Sequence, residues 1–563
     1  MITIETDEKA LEPKGAPFII DRFPFKHGEQ MDYALVSLDE DKIYNWPMVY
    51  ILATETTAYV GQTTSVASRM SQHGVNEEKK GFTTVNVIFN EEFNSSVITD
   101  YEHKLIGHMH GDRRYCLTNK NDGMTDTNYF SKAQYAEMFK ALWEELRVLG
   151  LADHALDEIE ESEVFKYSPF KSLTVDRRVA LDSIYLSIGN SLDSAKPIVV
   201  EGMPGTGKTI LAIYLLKMLK DNPVYKNLNV RIVEPVTSLR NTLWQAFKGV
   251  SGLSQDDIIA PADVAKSEYR CGKDFTNPFD IVLVDEAHRL KRRVNLGTQF
   301  GSFDKTNERL GLASELTQMD WLISQSKLAV FFYDPLQAVG PSCLSPEGIR
   351  KSLGDSILSP IKLDTQMRVK GGKGYLDYIS EILSSGNPQP ADFENYEFVL
   401  HDDFKSFTDS FNQTFSTHSL SRMIAGYVWK WNTKGNDDPN AFDISFDGVN
   451  LRWNCTYDSW VGKGFNDNAI AHEVGCIRSI QGYDLSYAYV IIGDDLELDE
   501  ATGELRANKN NYFDRNGKAT ATSEELTRYI KNIYYVLLTR GIYGIHVYVA
   551  NKKLRNYLKR FFL

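Results

Sequence analysis

The segment Gly202-Met203-Pro204-Gly205-Thr206-Gly207-Lys208-Thr209 has the composition and spacing, GxxxxGK[ST], of a turn that binds phosphate. It lies between a strand-like run, Pro197 to Val200, and a helix-like run, Ile210 to Leu219. In that setting the backbone N–H groups of the glycine-rich turn, at a helix N-terminus, wrap the phosphates of a nucleotide. Lys208 would reach the β and γ oxygens, and the Thr209 hydroxyl would ligate Mg²⁺. Further on, Ile281 to Val284 is an apolar run ending in Asp285-Glu286-Ala287-His288. Asp285 would hold the metal shell and Glu286 would orient an attacking water. Phe331 to Tyr333 closes on Asp334-Pro335-Leu336-Gln337, where Gln337 would sense the γ-phosphate. Arg368 and Arg540 are candidates for arginines that stabilise transition-state charge from a neighbouring domain. Gln481 and Gly482 lie in a polar loop, Ser479 to Asp484, before a strand. Taken singly, a carboxylate pair is a buried strand with an acidic loop and an arginine is a surface residue; the order of the set argues for more.

A second group of reactive side chains stands nearer the N-terminus. Met48-Val49-Tyr50 and Tyr59-Val60-Gly61 flank a hairpin-like turn. Arg69 follows, with His73 one helical turn later, so both project from one face of a helix. Glu102 lies on a second amphipathic helix and Asn119 in a loop beyond it. One metal-capable carboxylate, one arginine, two phenols and a histidine suffice to hydrolyse a phosphodiester. Glu102 would hold a divalent cation that polarises the phosphate, and Arg69 would neutralise the charge that develops. A tyrosine or His73 would take the proton from water. The chain has 29 tyrosines, so packing in a sheet core is the plainer role for Tyr50 or Tyr59 alone.

These residues need elements to carry them. Between Met48 and about Phe130 short β-rich runs alternate with helical patterns, as in a small α/β unit. Phe139, Leu142, Trp143, Leu146 and Leu149 recur at helical spacing, which predicts one buried face on a helical bridge over Ser131 to Glu163. Beyond Ser168, apolar strands followed by helices predict parallel sheet. The strand candidates are Ile198–Val200, Val230–Val233, Ile281–Val284 and Ala329–Tyr333, then Tyr396–Leu400, Ala488–Ile492 and Ile545–Val549. Two such series predict two stacked α/β domains. Residues 1–45, broken by Pro13, Pro17 and Pro24, read as an irregular extension, and Asp494 to Thr522 as a surface insertion.

With 563 residues, 42% hydrophobic and 25% charged, the chain has the make-up of a soluble globular protein of several domains. Its five cysteines form no CxxC pair, which argues against structural zinc or a disulfide scaffold and fits a reducing, cytoplasmic compartment. No apolar run approaches the roughly 20 residues that cross a bilayer, and Met1 to Leu11 is too acidic for a signal peptide. A net charge of −14 counts against indiscriminate nucleic-acid binding but leaves room for local basic clusters such as Lys291-Arg292-Arg293 and Lys552 to Arg560. Trp429, Trp431, Trp453 and Trp460 offer faces for stacking on bases, with core packing the plainer use.

In their order, the segments from about Ser168 to Leu563 resemble the motifs of superfamily 1 helicases. Gly202–Thr209 resembles motif I, Asp285–His288 motif II, Asp334–Gln337 motif III, Gln366–Arg368 motif IV, Ser479–Asp484 motif V and Tyr535–Arg540 motif VI. The run Asn532 to Gly541 is most similar to Schlafen-like helicase domains. That resemblance implies two tandem RecA-like lobes that use ATP and Mg²⁺ and bind a nucleic-acid strand. The adenine-reading glutamine of the family is absent around Thr174 to Arg178. The triplets at Met48 and Tyr59 resemble those of the GIY-YIG nucleases, over about residues 46 to 120. By that resemblance Tyr50, Tyr59, Arg69, His73, Glu102 and Asn119 are the site, with Asn121 the alternative to Asn119 because the preceding gap is long. The first triplet lacks the usual Gly-Ile but keeps its tyrosine.

The expected fold is therefore α/β: a small nuclease domain (46–130) after an N-terminal extension (1–45), a helical linker (131–167), and two RecA-like parallel-sheet lobes (168–394 and 395–563). The expected activity is an ATP-dependent translocase joined to a Mg²⁺-dependent endonuclease. It would act on nucleic acid, DNA ahead of RNA, in defence against foreign DNA, alone, as a homo-oligomer or with a partner protein. The alternatives are a nucleotide-gated switch, or a repair or RNA-processing nuclease that does not translocate.

Overall fold

The computed structural model describes residues 18–28, 38, 40–120, 128–160, 162–170, 173–192, 196–269, 279–354, 356, 359–363, 366, 369–418, 420–436, 438, 440–454, 460–461, 468–480 and 483–563. The chain divides into two compact units. The first comprises Met1–Asp182, Ile210–Val230 and Arg240–Ile258; the second comprises Ser183–Thr209, Arg231–Leu239 and Ile259–Leu563.

The first unit is built on a five-stranded sheet of order β1-β4-β2-β3-β5. Its strands are β1 (Ile19–Pro24), β2 (Met48–Ala53), β3 (Thr57–Thr63), β4 (Thr84–Phe89) and β5 (Cys116–Leu117). Strand β2 is apolar at almost every position and buried at all six, as a central strand covered on both faces must be. Helix α1 (Val66–Gly74) starts at Ser65, whose side chain accepts the Ser68 N–H, and α2 (Ser95–Asp112) starts at Asn94, which accepts from Ser96 and Val97. Residues 19–24, expected in an irregular extension, pair antiparallel with β4 from Ile19↔Phe89 to Pro24↔Thr84. Pro24 is tolerated because it ends a strand at the sheet edge. Helix α3 (Lys132–Val148) buries Phe139, Leu142, Trp143 and Leu146 in one core with Val49 and Ile51. That helix completes this unit's core; of the five residues at helical spacing, Leu149, at its C-terminal cap, stays half exposed.

The second unit holds a six-stranded sheet of order β11-β6-β10-β9-β7-β8. The strands are β6 (Ile198–Gly202), β7 (Val230–Val233), β8 (Ile258–Ile259), β9 (Phe279–Val284), β10 (Ser326–Tyr333) and β11 (Ile361–Leu363). The pairings β10–β6, β10–β9 and β11–β6 are parallel. A seven-stranded sheet, order β12-β20-β17-β13-β16-β15-β14, follows. It contains β12 (Glu397–His401), β13 (Arg422–Ala425), β14 (Ile444–Phe446), β15 (Val449–Trp453), β16 (Glu473–Cys476), β17 (Leu485–Ile492) and β20 (Gly541–Val549), parallel except for the β14–β15 hairpin. These are the two RecA-like, parallel-sheet lobes of a mixed α/β fold. Each expected strand has its counterpart, while β8, β11, β13, β14, β15 and β16 are short segments that the apolar pattern did not mark.

The segment expected as a surface insertion is partly core. It carries the hairpin β18 (Leu496–Asp499) and β19 (Glu504–Ala507), and Leu496, Leu505 and Tyr512 are buried in the second lobe. Trp453 and Trp460 are likewise buried, and Trp429 and Trp431 pack against the same core. The basic cluster is partnered: Arg293 forks onto Asp304, Arg292 lies 3.8 Å from Glu525, and Lys291 donates to Gln299. Lys559 is paired with Asp402 and Lys553 with Glu500. Among the described residues no helix is long and apolar enough to cross a membrane.

Candidate nucleotide and phosphodiester sites

In a parallel sheet, ligands bind beyond the carboxyl ends of the strands. The phosphate loop leaves the end of β6 and enters the helix α4 (Lys208–Asp221), Asp285-Glu286 leaves β9, and Asp334 leaves β10, which lies between them. Register makes this contact unavoidable, because Tyr333 pairs with Glu201 and Phe331 with Val284. The loop needs its glycines. Gly205 and Gly207 sit at φ +81° and +92°, and a Cβ on Gly202 would fall 2.5 Å from Thr206 Oγ1. Pro204 is buried, and the Thr206 hydroxyl donates to Met203 O over 2.9 Å.

Lys208 is buried; its Nζ donates to Gly202 O (2.7 Å) and Met203 O (3.1 Å) and lies 3.7 Å from Asp334 Oδ2. The Gln337 amide donates to that same Asp334 oxygen over 2.6 Å. Sequence reading placed Gln337 at the nucleotide; the structure shows Asp334 as the joint between Gln337 and Lys208.

Three carboxylates crowd the ends of β7 and β9. Burial first, then the charge of Glu286, raises the pKa of Asp285, and the Thr209 hydroxyl offsets part of the rise. Burial would raise Glu286 as well, but His288 and Arg289 pull it well below the ordinary range. His288 Nε2 lies 2.9 Å and Arg289 Nε 3.0 Å from Glu286 Oε2. Fully buried Glu234, whose Oε1 accepts the Val236 N–H, is raised far above its ordinary value by burial and then by Asp285 and Glu286. Glu286 itself adopts φ +46°, a left-handed conformation rare outside glycine and concentrated at functional positions. Asp285 Oδ1 accepts the Glu286 N–H, whereas Oδ2 is buried with no hydrogen-bond partner among the described residues. A buried, unpaired carboxylate oxygen beside a threonine hydroxyl fits the donor set of a Mg²⁺ ion.

Arg540 ends the helix α5 (Ser523–Leu538) and its following turn; it is buried and its Nη1 donates to Tyr483 O over 3.3 Å. It therefore touches Tyr483, within the segment Ser479 to Asp484. Arg368, Gln481 and Gly482 lie outside the described residues, as does Asn121.

In the first unit Tyr50, Tyr59, Arg69, His73 and Glu102 come together. Tyr50 is fully buried, and its oxygen accepts from Arg69 Nε (3.1 Å) and lies 2.7 Å from His73 Nε2. Because Arg69 can only donate, the phenol proton is left for His73, which makes Nε2 the acceptor of a neutral imidazole. Burial, then Arg69 and Lys79, lowers the His73 pKa to about 4, in keeping with that neutral form. The Tyr59 ring is partly exposed, 6.4 Å from Tyr50 and 5.7 Å from His73 by centroids. Burial raises both phenols; Glu102 adds to the rise at each, and Arg69 opposes it. Glu102 is thus within electrostatic reach of both rings, on the helix that Gln62 and Thr99 tie to β3 by a 3.1 Å hydrogen bond. A half-buried carboxylate facing two phenols and an arginine fits a metal held by one protein ligand and the phosphate itself.

Gly61 is required by Tyr50: a Cβ there would fall 2.3 Å from the phenol oxygen. Asn119 does not face the cluster. Its side-chain amide accepts the Val60 N–H (3.1 Å) and donates to Val60 O (2.8 Å), adding a rung to the β3–β5 ladder. It holds the triplet Tyr59-Val60-Gly61 from behind. Sequence reading missed Arg289, Glu234 and Lys79; Arg289 alone had a signal, one helical turn from Glu286.

The family model of the Schlafen group 3 DNA/RNA helicase domain matches residues 195–551. A protein of Saccharomyces cerevisiae named Uncharacterized protein YPL245W is 27% identical over 309 residues. The match takes in 50% of this chain and 64% of the yeast protein, so the chain spans less than two thirds of that relative. Among solved structures, the Arterivirus nonstructural protein 10 helicase is 15% identical, covering 66% of this chain and 64% of that one at a TM-score of 0.27. The Pif1 helicase of Candida albicans is 13% identical, covering 69% of this chain and 99% of that one at 0.28.

Proposed function

The chain belongs to the Schlafen group 3 DNA/RNA helicase domain family, and we propose that it couples ATP hydrolysis to movement on a nucleic-acid strand that a GIY-YIG-type site then cuts. The observation that carries the first half is the meeting of Lys208, Thr209, Asp285, Glu286 and Asp334 at the strand ends of one parallel sheet. Gly202, Pro204, Gly205, Thr206 and Gly207 shape the phosphate cradle, Lys208 neutralises terminal phosphate charge, and Thr209 and Asp285 would hold Mg²⁺. Glu286, kept ionised by His288 and Arg289, orients the attacking water and accepts its proton. Gln337 and Asp334 hold Lys208 in place. Arg540, Gln481 and Gly482 supply the responses of the second lobe, and Arg368, near the end of the first sheet, is the other arginine candidate.

The cluster of Tyr50, Tyr59, Arg69, His73 and Glu102 supports the second half. Glu102 would hold the metal, Arg69 stabilises phosphate charge, and His73 and the phenols relay the proton, with Asn119 fixing the strand behind Tyr59. Mg²⁺, when bound, polarises phosphate oxygens at both places. Residues 46–130, completed by strand β1 (Ile19–Pro24) and helix α3 (Lys132–Val148), form the cutting domain in this reading, with lobes at 168–394 and 395–563. DNA is the favoured substrate, foreign DNA the favoured biological target and the cytoplasm the favoured compartment; the support is the presence of moving and cutting chemistries in one chain.

The test is ATP turnover and cleavage by the purified chain on single-stranded DNA, duplex DNA and RNA. Strand-stimulated turnover should fall by about 10³-fold or more in Lys208→Ala. Glu102→Ala should abolish cleavage and leave turnover intact. Turnover that ignores the strand and displaces no annealed partner would favour a nucleotide-gated switch instead.

A further inference from the structure

Lys79 closes a short 3-10 turn, Glu77–Lys79, that follows α1. Its backbone is fixed at both ends: its N–H donates to Asn76 O (2.9 Å) and its carbonyl accepts the Phe82 N–H (3.2 Å). Its side chain turns inward and leaves the residue only 6% exposed. Nζ stands 3.1 Å from the centroid of the Tyr59 ring and 5.7 Å from that of Phe82. Among the described residues the ammonium has neither a hydrogen-bond acceptor nor an ion-pair partner. The contrast with other buried lysines is plain, since Lys217 is clasped by Asp221 at 2.6 Å and Lys208 by two carbonyls.

An ammonium on a side chain this buried has lost part of its hydration, and a contact with one aromatic face recovers only part of that. The neighbouring charges make matters worse. Burial first, with Lys120 and Arg69 adding to it and Glu78 opposing, lowers the Lys79 pKa to about 8. The same positive charge reaches His73. Arg69 and Lys79 are therefore two cations at one partly exposed phenol, and neither forms an ion pair with a carboxylate among the described residues.

From this geometry we infer that Lys79 is a phosphate-binding residue of the cutting site, donating to a nonbridging oxygen of the nucleic-acid backbone laid against Tyr59. The inference rests on the reading of this cluster as a phosphodiesterase and adds to it a second cation from outside the residues that resemble the family. Arg69 grips Tyr50 and the phosphate from helix α1, and Lys79 grips it from the turn beyond, so the scissile phosphate is held from two elements.

Two measurements on the full chain separate this inference from the nuclease reading. In the first, lysines carry ¹³C at Cε, and the Lys79 signal is assigned by its loss in Lys79→Arg. The signal should shift on adding a phosphorothioate oligonucleotide and stay in place with the uncharged methylphosphonate oligomer. In the second, cleavage of substrates with Rp or Sp sulfur at the scissile phosphate is compared in wild type, Lys79→Met and Lys79→Arg. Lys79→Met should cut about 10- to 100-fold more slowly and lose the Rp/Sp preference of the wild type. Lys79→Arg should recover much of both, and ATP turnover should not change in either variant. An unmoved Lys79 signal overturns the inference whether or not the chain cuts. So does a Lys79→Met variant that keeps the Rp/Sp preference, at whatever rate. A shifted signal in a chain whose cleavage is indifferent to Glu102→Ala and Tyr59→Phe keeps the phosphate site and removes the nuclease reading.

Discussion

The cluster around Tyr59 and the cluster around Asp285 solve opposite electrostatic problems. At Tyr59 two cations, Arg69 and Lys79, face two phenols whose protons burial holds on, and the Glu102 carboxylate is felt through space. At Asp285 three carboxylates crowd one another, and Lys208, His288 and Arg289 offset them only in part. The first has positive charge to spend on a phosphate. The second has negative charge to spend on a metal, with a separate lysine for the phosphates. Both are kept polar inside a packed unit by scaffold residues that do no chemistry, Gly61 and Asn119 in one and Asp334 in the other.

The strongest way to break this contrast is at Glu286. Glu286→Gln keeps the shape and removes the charge, so turnover should fall by about 10²- to 10³-fold while nucleotide affinity, read by a fluorescent analogue, is retained. Equal loss of affinity would place Glu286 in binding rather than in chemistry. Next comes Gly61→Ala. Because the added methyl meets the Tyr50 oxygen, that ring must move, with an expected cost of about 1–3 kcal/mol in denaturant unfolding and a loss of cleavage but not of ATP turnover. An unchanged midpoint would mean that Tyr50 has room the structure does not show.

The pH response sharpens the comparison more gently. In the folded chain the His73 pKa is lowered from 6.5 to about 4, so between those values the unfolded chain binds the proton and the folded one does not. The contribution of His73 to stability is therefore held above about pH 6.5 and is lost as pH falls toward 4. Melting followed over that range should drop less steeply in His73→Asn than in wild type; identical slopes would show that the imidazole is not buried neutral. The smallest effect is expected from Asn119→Ala, which deletes two hydrogen bonds to Val60 and should cost about 1–3 kcal/mol, with cleavage slowed but not abolished. Complete loss of cleavage in a stable variant would mean that Asn119 touches the substrate.

The two regions were not equally legible. Parallel strands such as β6, β9 and β10 are apolar on both faces, so runs like Ile281–Val284 announced themselves, and polar residues at their ends had to converge once the strands were neighbours. Strands β13 and β16 are four residues each, too short for a periodic signal, and β1 was hidden by the prolines around it. In the cluster around Tyr59 the helical spacing of Arg69 and His73 placed them on one face, and they are found there, both on Tyr50. Asn119, matched by residue type, turned out to hold backbone, since an amide side chain serves a strand edge as readily as a substrate.

Sequence alone determined what is local: an eight-residue loop whose glycines set its shape, strands that end in carboxylates, and a pair of triplets around a hairpin. Tertiary structure alone decided which charges are buried together. Nothing distinguishes Lys79 from Lys80 along the chain, yet one is folded over an aromatic ring and the other is exposed. The difference lies in desolvation and through-space charge, which depend on distances between elements and have no spacing by which a sequence can record them.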